Sequence, residues 1–182
     1  MKSTLIVFLC LLGFSFAFLP NYSPEQFVDP EVNFLEMANE VYAAFYKEAF
    51  GLNLDITVCG DDLQEGALKV VGALNGYAQQ KEPSAWIVMT FLLGNGIYEI
   101  ANRVQNCEEA WPVFEQGLKK FEPYMESLQR LVMDVAQAVV LNPLVFYKDL
   151  KHIYLDLDPS GVLPYSDIGA TSGEMARMVI HS

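Results

Sequence analysis

The residues whose types and spacing best fit a chemical role lie between Asp156 and Asp167. Over these twelve positions, oxygen-bearing side chains fall at positions 1, 3, 5 and 12, which are Asp156, Asp158, Ser160 and Asp167, and position 7 is Val162. Calcium-binding loops use this arrangement, with a glycine at position 6 for the sharp turn. Prolines at positions 4 and 9 and the short Asp at position 12 favour another interpretation, a turn whose Asp and Ser side chains cap helices. We expect that turn, with calcium binding as the alternative.

Side chains suited to catalysis are scarce elsewhere in the sequence. The two histidines are His181, the penultimate residue, and His152, which is expected to face solvent and offers the sole route to a Ser-His-Asp triad. The motifs GxSxG, HExxH and CxxC and a phosphate-binding glycine loop are absent from the sequence. The acidic pairs Asp61–Asp62 and Glu108–Glu109 are expected at helix starts, where they complement the helix dipole. The sequence therefore predicts a protein that is not an enzyme and requires no cofactor.

The first residues predict export from the cytosol. Lys2 precedes an uncharged apolar run over residues 5–14, and small residues follow at Ser15 and Ala17. This order is typical of a secretory signal peptide over residues 1–17, cleaved after Ala17. The alternative, a retained membrane anchor, is disfavoured because a span needs about 20 apolar residues. We expect a secreted or secretory-pathway protein with no membrane span after cleavage.

The cysteines and one sequon fit that compartment. Cys59 and Cys107 remain after loss of the signal peptide, and in an oxidising compartment they most simply form one internal disulfide. Two buried thiols or an intermolecular bridge are the alternatives. Asn21 lies in an Asn-Tyr-Ser sequon, which favours glycosylation, but Pro24 follows it and disfavours glycosylation. The sequence therefore leaves both outcomes for Asn21 open.

The remaining pattern predicts one all-α domain, a compact bundle of five or six helices with one disulfide. Residues 18–30 contain three prolines and are expected to form an extended lead-in, and residues 31–182 form the single helical domain. Apolar residues recur at helical spacing from 34 to 50, and Gly51 is expected to end that helix. A second helix is expected to start at a cap, Asp61 or Asp62.

The later helices are predicted from apolar content and prolines. Residues 84–98 carry no charge and predict a third helix buried at the centre of the bundle. A fourth apolar stripe continues from 111 to 139, and Pro123 is expected to kink or divide it. Further helices are expected over residues 144–155 and 167–180. In an antiparallel pair of the second and third helices, the two cysteines would be neighbours.

Four stretches resemble a known group of sequences. They are DITVCGDDLQEG (55–66), GNGIYEIANRVQNCEEA (94–110), LNPLVFYKDL (141–150) and SDIGATSGEMARMV (166–179). Together with the signal peptide, they resemble small secreted helical one-disulfide proteins of ciliated protozoa. The resemblance implies a secreted, one-disulfide helical protein in which residues 156–167 form a turn, and it assigns no catalytic or binding residue.

The charge and composition limit the functional hypotheses. The formal net charge of -12 repels phosphate, which disfavours nucleic acids and anionic membrane faces as partners. The leading hypothesis is a non-enzymatic structural or interaction protein of an extracellular, surface or secretory-granule matrix, with a protein partner or self-association. The first alternative is a carrier of a small apolar ligand, because twelve Phe and nine Tyr are enough to line a cavity. The second is a calcium-binding protein that uses residues 156–167.

Overall fold

The structure, a computed structural model, describes residues 23–27, 29, 33–80, 82–125, 127–157 and 163–181. These residues contain no strand, which confirms the all-α prediction. The described α-helices are α1 (Phe34–Phe50), α2 (Gln64–Gln79), α3 (Pro83–Val104), α4 (Trp111–Met125), α5 (Leu128–Leu141), α6 (Pro143–Asp156) and α7 (Tyr165–Ile180). Short 3-10 turns precede α1 and α2, at Pro24–Phe27 and Thr57–Leu63. The first of these lies within the predicted extended lead-in.

The helix count differs from the five or six expected because the predicted fourth helix is two. Proline removes one backbone donor and clashes with the preceding turn, so the fourth stripe was expected to break near Pro123. The chain continues as helix to Met125 and starts again at Leu128. The proline therefore lies in the last turn of α4. The predicted fourth helix is divided after that turn, so the described residues form seven helices.

Both ends of α1 follow simple capping rules, whereas the start of α2 does not. The Asn33 side chain accepts a hydrogen bond from the Glu36 backbone N–H at 3.3 Å at the start of α1. Gly51 ends α1 in the left-handed conformation with φ of 70°, as expected. The predicted Asp61 or Asp62 cap of α2 is wrong: both residues lie in the 3-10 turn, and the N-cap is Leu63, which makes no side-chain cap bond.

The helices pack in an order that separates two regions. Helix α1 packs along α7 on one side and against α2 on another, and α2 in turn packs along α3. We call α1, α2, α3 and α7 the body. The fully buried side chains of the body core include Ile56, Leu63, Val70, Val71, Ile100 and Val104. Helices α5 and α6, which we call the hairpin, contact the outer side of α7.

Glycines set the close approach of two helix pairs in the body. A Cβ at Gly169 of α7 would collide with the Val41 carbonyl oxygen of α1, and one at Gly173 would lie 2.6 Å from the Phe45 oxygen. A Cβ at Gly96 of α3 would lie 2.8 Å from the Gly66 oxygen of α2. Side chains at these positions would push the helices apart, so the glycines allow α7 to pack closely on α1 and α3 to pack closely on α2.

The third helix is not the central helix that the sequence predicted. Its Ala85, Met89 and Ile100 are buried, but Ile97 and Tyr98 are 45% and 57% exposed. The uncharged run therefore reflects one buried face and one exposed apolar face. Charge is absent from both faces, and the sequence pattern could not separate them.

Candidate functional site

The two cysteines predicted to pair are brought together at one end of the α2–α3 pair. Their sulfur atoms lie 2.13 Å apart and their Cα atoms 5.5 Å apart, which is disulfide distance. Cys59 lies in the 3-10 turn before α2, and Cys107 lies just beyond the end of α3. An antiparallel pair of helices places these two ends side by side. The linkage is structural in character, because it joins segments that already pack.

The candidate calcium ligands are only partly described. Asp158, Ser160 and Val162 lie outside the described residues, and Asp156 ends α6. Asp167 lies in the first turn of α7, where its charge complements the helix dipole. Within the described part of the chain, no group of three His, Cys, Asp or Glu side chains could hold a metal ion. The Asn21 sequon and the signal peptide also lie outside the described residues.

A cleft of about 530 Å³ between α1, α6 and α7 brings several ionisable side chains together. We call it the α6 cleft; its lining includes Glu48, Lys148, Asp149, Lys151, His152, Thr171 and Glu174. Asp149 is 5% exposed, and its Oδ2 atom has no hydrogen-bond partner. Burial raises the pKa of this carboxyl, the nearby Glu174 carboxylate raises it further, and Lys148 and His152 oppose the rise.

The geometry of the α6 cleft does not match a catalytic triad. His152 is exposed, as expected, and its Nδ1 lies 3.2 Å from Thr171 Oγ1. In a catalytic triad, one ring nitrogen of the histidine contacts the nucleophile and the other contacts the acid, and the nucleophile must face the substrate. Thr171 is 8% exposed within the middle of α7, so its hydroxyl is poorly placed for attack. A hydrogen bond that ties α6 to α7 is a sufficient role for this pair.

The most unusual surface of the molecule is the outer side of the hairpin. Of the fifteen large apolar side chains that are exposed in the described chain, eleven lie between residues 132 and 155. They are Val132, Met133, Val135, Val139, Val140, Leu141, Leu144, Val145, Tyr147, Leu150 and Leu155. At typical side-chain areas their exposed fractions amount to on the order of 1,000 Å², distributed over the free sides of both helices. This concentration of exposed apolar side chains makes the hairpin the candidate binding surface.

Helix α5 points its apolar stripe away from the body. Val132, Met133, Val139 and Val140 are exposed around Ala136, which is exposed too. Ala138, which is fully buried, lies about 200° further round the helix from Ala136. The apolar stripe predicted from 111 to 139 is therefore exposed at Val132, Val135 and Val139.

The hairpin is attached to the body by a small separate cluster. Ala138 of α5 and Phe146 of α6 pack against Val179 of α7, with Met175 and Met178 beside them. The large body core forms a cluster of its own. Among the described side chains, the two helices thus bury few apolar residues against α7, while most of their described apolar residues are exposed.

The hairpin also differs from the rest of the chain in charge. Residues 127–157 contain three basic and three acidic residues, so the whole net charge of -12 lies elsewhere in the chain. Among its described side chains, the exposed charged ones are Lys148 and Lys151. Among the described residues, the segment with the most exposed apolar side chains therefore carries no net charge.

One feature of the sequence indicates this surface: the hairpin has more apolar residues than one buried helix face requires. The segment Val139–Tyr147 is apolar at every position except Asn142, although the hairpin packs through a single narrow face. One buried face needs apolar residues at only about half the positions of a helix. The excess indicates a second apolar face, but the choice between an internal and an external partner needed the structure.

Comparisons with known proteins find nothing similar to this chain: no protein-family model, curated protein or solved structure matches it. The resemblance to secreted proteins of ciliates stays an expectation. In the described part of the chain, no helix combines the length and the apolar character that crossing a membrane requires.

Proposed function

We propose that this chain is a secreted, non-enzymatic structural or interaction protein whose binding surface is the hairpin of α5 and α6. The observation that carries the proposal is the concentration of exposed apolar side chains on the hairpin, where Val140 and Leu144 are 76% and 82% exposed. Such exposure opposes solubility unless a partner covers it, because apolar surface is driven out of water at about 25 cal/mol per Å².

The charge distribution supports the same function. The acidic residues outside the hairpin, which account for the whole net charge of -12, keep the protein dispersed and repel non-specific contacts with acidic surfaces. Because the hairpin itself carries no net charge, another molecule can approach it at low electrostatic cost. In the α6 cleft, an apolar ligand would have to displace water from ionisable side chains, among them Lys148, Asp149 and Glu174, which disfavours the carrier hypothesis at this site.

The proposal is tested with a charge pair placed on the hairpin. In the variant Val140→Asp/Leu144→Asp, both changes fall on exposed positions, so the fold and the melting temperature should stay as in the wild type. The matched control, Asn102→Asp/Gln116→Asp, adds the same charge at exposed polar positions of α3 and α4.

The measurement is the mass distribution of the secreted chain, by size exclusion with light scattering, in the secretion medium and after purification. We expect wild type and control in assemblies larger than one chain, and the hairpin variant as a monomer. A hairpin variant that keeps the wild-type assemblies, or a wild type that is monomeric in the medium, would contradict the proposed function.

A further inference from the structure

The apolar stripe of α5 has an internal symmetry that points to its partner. Relative to Ala136, the exposed apolar residues lie at -4, -3, +3 and +4, as Val132, Met133, Val139 and Val140. Reversing the direction of the helix about Ala136 exchanges Val132 with Val140 and Met133 with Val139. The stripe therefore presents nearly the same shape read in either direction, so a twofold axis at Ala136 would place apolar side chains of similar size opposite each other.

From this symmetry, and resting on the proposed function of the hairpin, we propose that the partner is a second copy of this chain. The two α5 helices pack antiparallel about a twofold axis at Ala136. Val132 of one copy then contacts Val140 of the second copy, and Met133 contacts Val139. The small side chain of Ala136 on the axis lets the two helices approach closely, and the valines around it fill the grooves between successive turns.

The size of the surface suits a dimer. A standard stable interface takes about 800 Å² from each partner, and the exposed side chains of the α5 stripe together with Leu141 and Leu144 supply on the order of 700 Å² of it. The α5 stripe forms the centre of the contact. Its rim comes from apolar side chains near the α5–α6 junction, Leu141 and Leu144.

Charge is compatible with contact between copies at this face. Two copies of a chain with a net charge of -12 repel each other wherever their acidic surfaces meet. Contact through the hairpin brings together two segments without net charge and keeps the acidic residues of the rest of the chain away from the contact. The remaining repulsion is screened by salt, so we expect the dimer to tighten as NaCl is added, whereas an association driven by opposite charges would weaken.

The decisive experiment is a charge swap on the proposed axis. In Ala136→Glu and in Ala136→Lys, the substituted position faces its own copy across the axis, so like charges meet and the dissociation constant should rise at least about tenfold. When the two variants are mixed, Glu faces Lys, and a heterodimer of one copy of each should re-form. Gln116→Glu and Gln116→Lys, at an exposed position of α4, are the controls and should dimerise as wild type does.

Analytical ultracentrifugation gives the stoichiometry, and native mass spectrometry identifies the heterodimer. A purified wild type that stays monomeric as its concentration rises, an Ala136→Glu variant that still dimerises as the wild type does, or a mixture that forms no heterodimer each overturns the antiparallel dimer. A wild type that remains monomeric and binds phosphatidylcholine vesicles through Ala136 overturns the dimer while the hairpin keeps its role as binding surface. Failure of the proposed function itself is recognised separately, by the Val140→Asp/Leu144→Asp variant keeping its assemblies.

Discussion

The body and the hairpin are built from similarly apolar helices, but they use their apolar residues in opposite ways. In the body, Leu63 is fully buried; on the hairpin, Leu144 is 82% exposed. The body has partners for its apolar faces on both sides, and glycines draw its helices together. The hairpin meets α7 through the small cluster around Phe146 and the His152–Thr171 hydrogen bond. The comparison teaches that apolar periodicity locates a helix face that needs a partner but does not say whether that partner belongs to the same chain.

The largest expected effect is on the stability of the body, and it should come from removing the two cysteines that lie at disulfide distance. Cys59 and Cys107 are 48 positions apart, and a closed loop of that length lowers the entropy of the unfolded chain by an amount equivalent to about 4 kcal/mol. We expect Cys59→Ser/Cys107→Ser to lose about that much free energy of unfolding in urea, while the dimerisation of the folded fraction stays unchanged. Free thiols in the secreted wild type, or an unchanged urea midpoint in the variant, would contradict the stabilising role.

The same Leu→Ala substitution in the body and on the hairpin compares how much buried apolar contact each region provides. Leu63→Ala empties space in the body core and should lower the free energy of unfolding by about 3 kcal/mol. Leu144→Ala removes atoms that already face water in the monomer and should change it by less than about 0.5 kcal/mol. Both are measured on monomers at low concentration. Equal losses in the two variants would show that Leu144 is covered by the chain itself.

Much of the fold was predictable because its determinants are local. The end of α1 follows from Gly51, whose left-handed conformation suits a residue without a Cβ. The break between α4 and α5 follows from Pro123, and the approach of Cys59 and Cys107 follows from the antiparallel α2–α3 pair. Each of these depends on a few neighbouring residues or on one pair of successive helices.

The candidate site was not predictable in the same way. Val132 and Val139 have the same spacing that a core-facing stripe has, and only their position relative to α7 shows that they point outward. The α6 cleft likewise joins Glu48, Asp149 and Glu174, which are far apart in the sequence. Both features depend on how distant helices pack, which periodicity within one helix does not encode.

A smaller effect should come from the anchor of the hairpin. Phe146 is 8% exposed in the cluster on α7, whereas its neighbour Tyr147 is 67% exposed. Phe146→Ala should weaken the attachment by about 2 kcal/mol, which is below the usual cost of about 3–5 kcal/mol for such truncations because the small cluster can relax. Amide hydrogen exchange should then speed up in α5 and α6 while α1 and α2 keep their protection. Tyr147→Ala, the matched control, should leave exchange unchanged; loss of protection across the whole chain would show that the two regions unfold as one unit.

The smallest expected effect concerns pH at the contact between α6 and α7. The pKa of Asp149 is raised above its ordinary value of 3.8, first by burial and then by Glu174, so the folded state holds the proton more tightly than the unfolded state does. Stability from this group is therefore complete below about 3.8 and is lost as the pH rises through the higher folded-state pKa.

The α6–α7 contact should thus tighten in acid, with Lys148, Lys151 and His152 of α6, Glu48 of α1 and Glu174 of α7 lining the same cleft. Asp149→Asn places a neutral group of the same shape beside Glu174, so it should flatten the pH dependence of exchange in α6 above 3.8 and protect α6 slightly better near neutral pH. Identical pH profiles in wild type and variant would mean that the Asp149 carboxylate is solvated in solution. In that case the weaker attachment of the hairpin would follow from its small apolar cluster alone, without a contribution from buried charge.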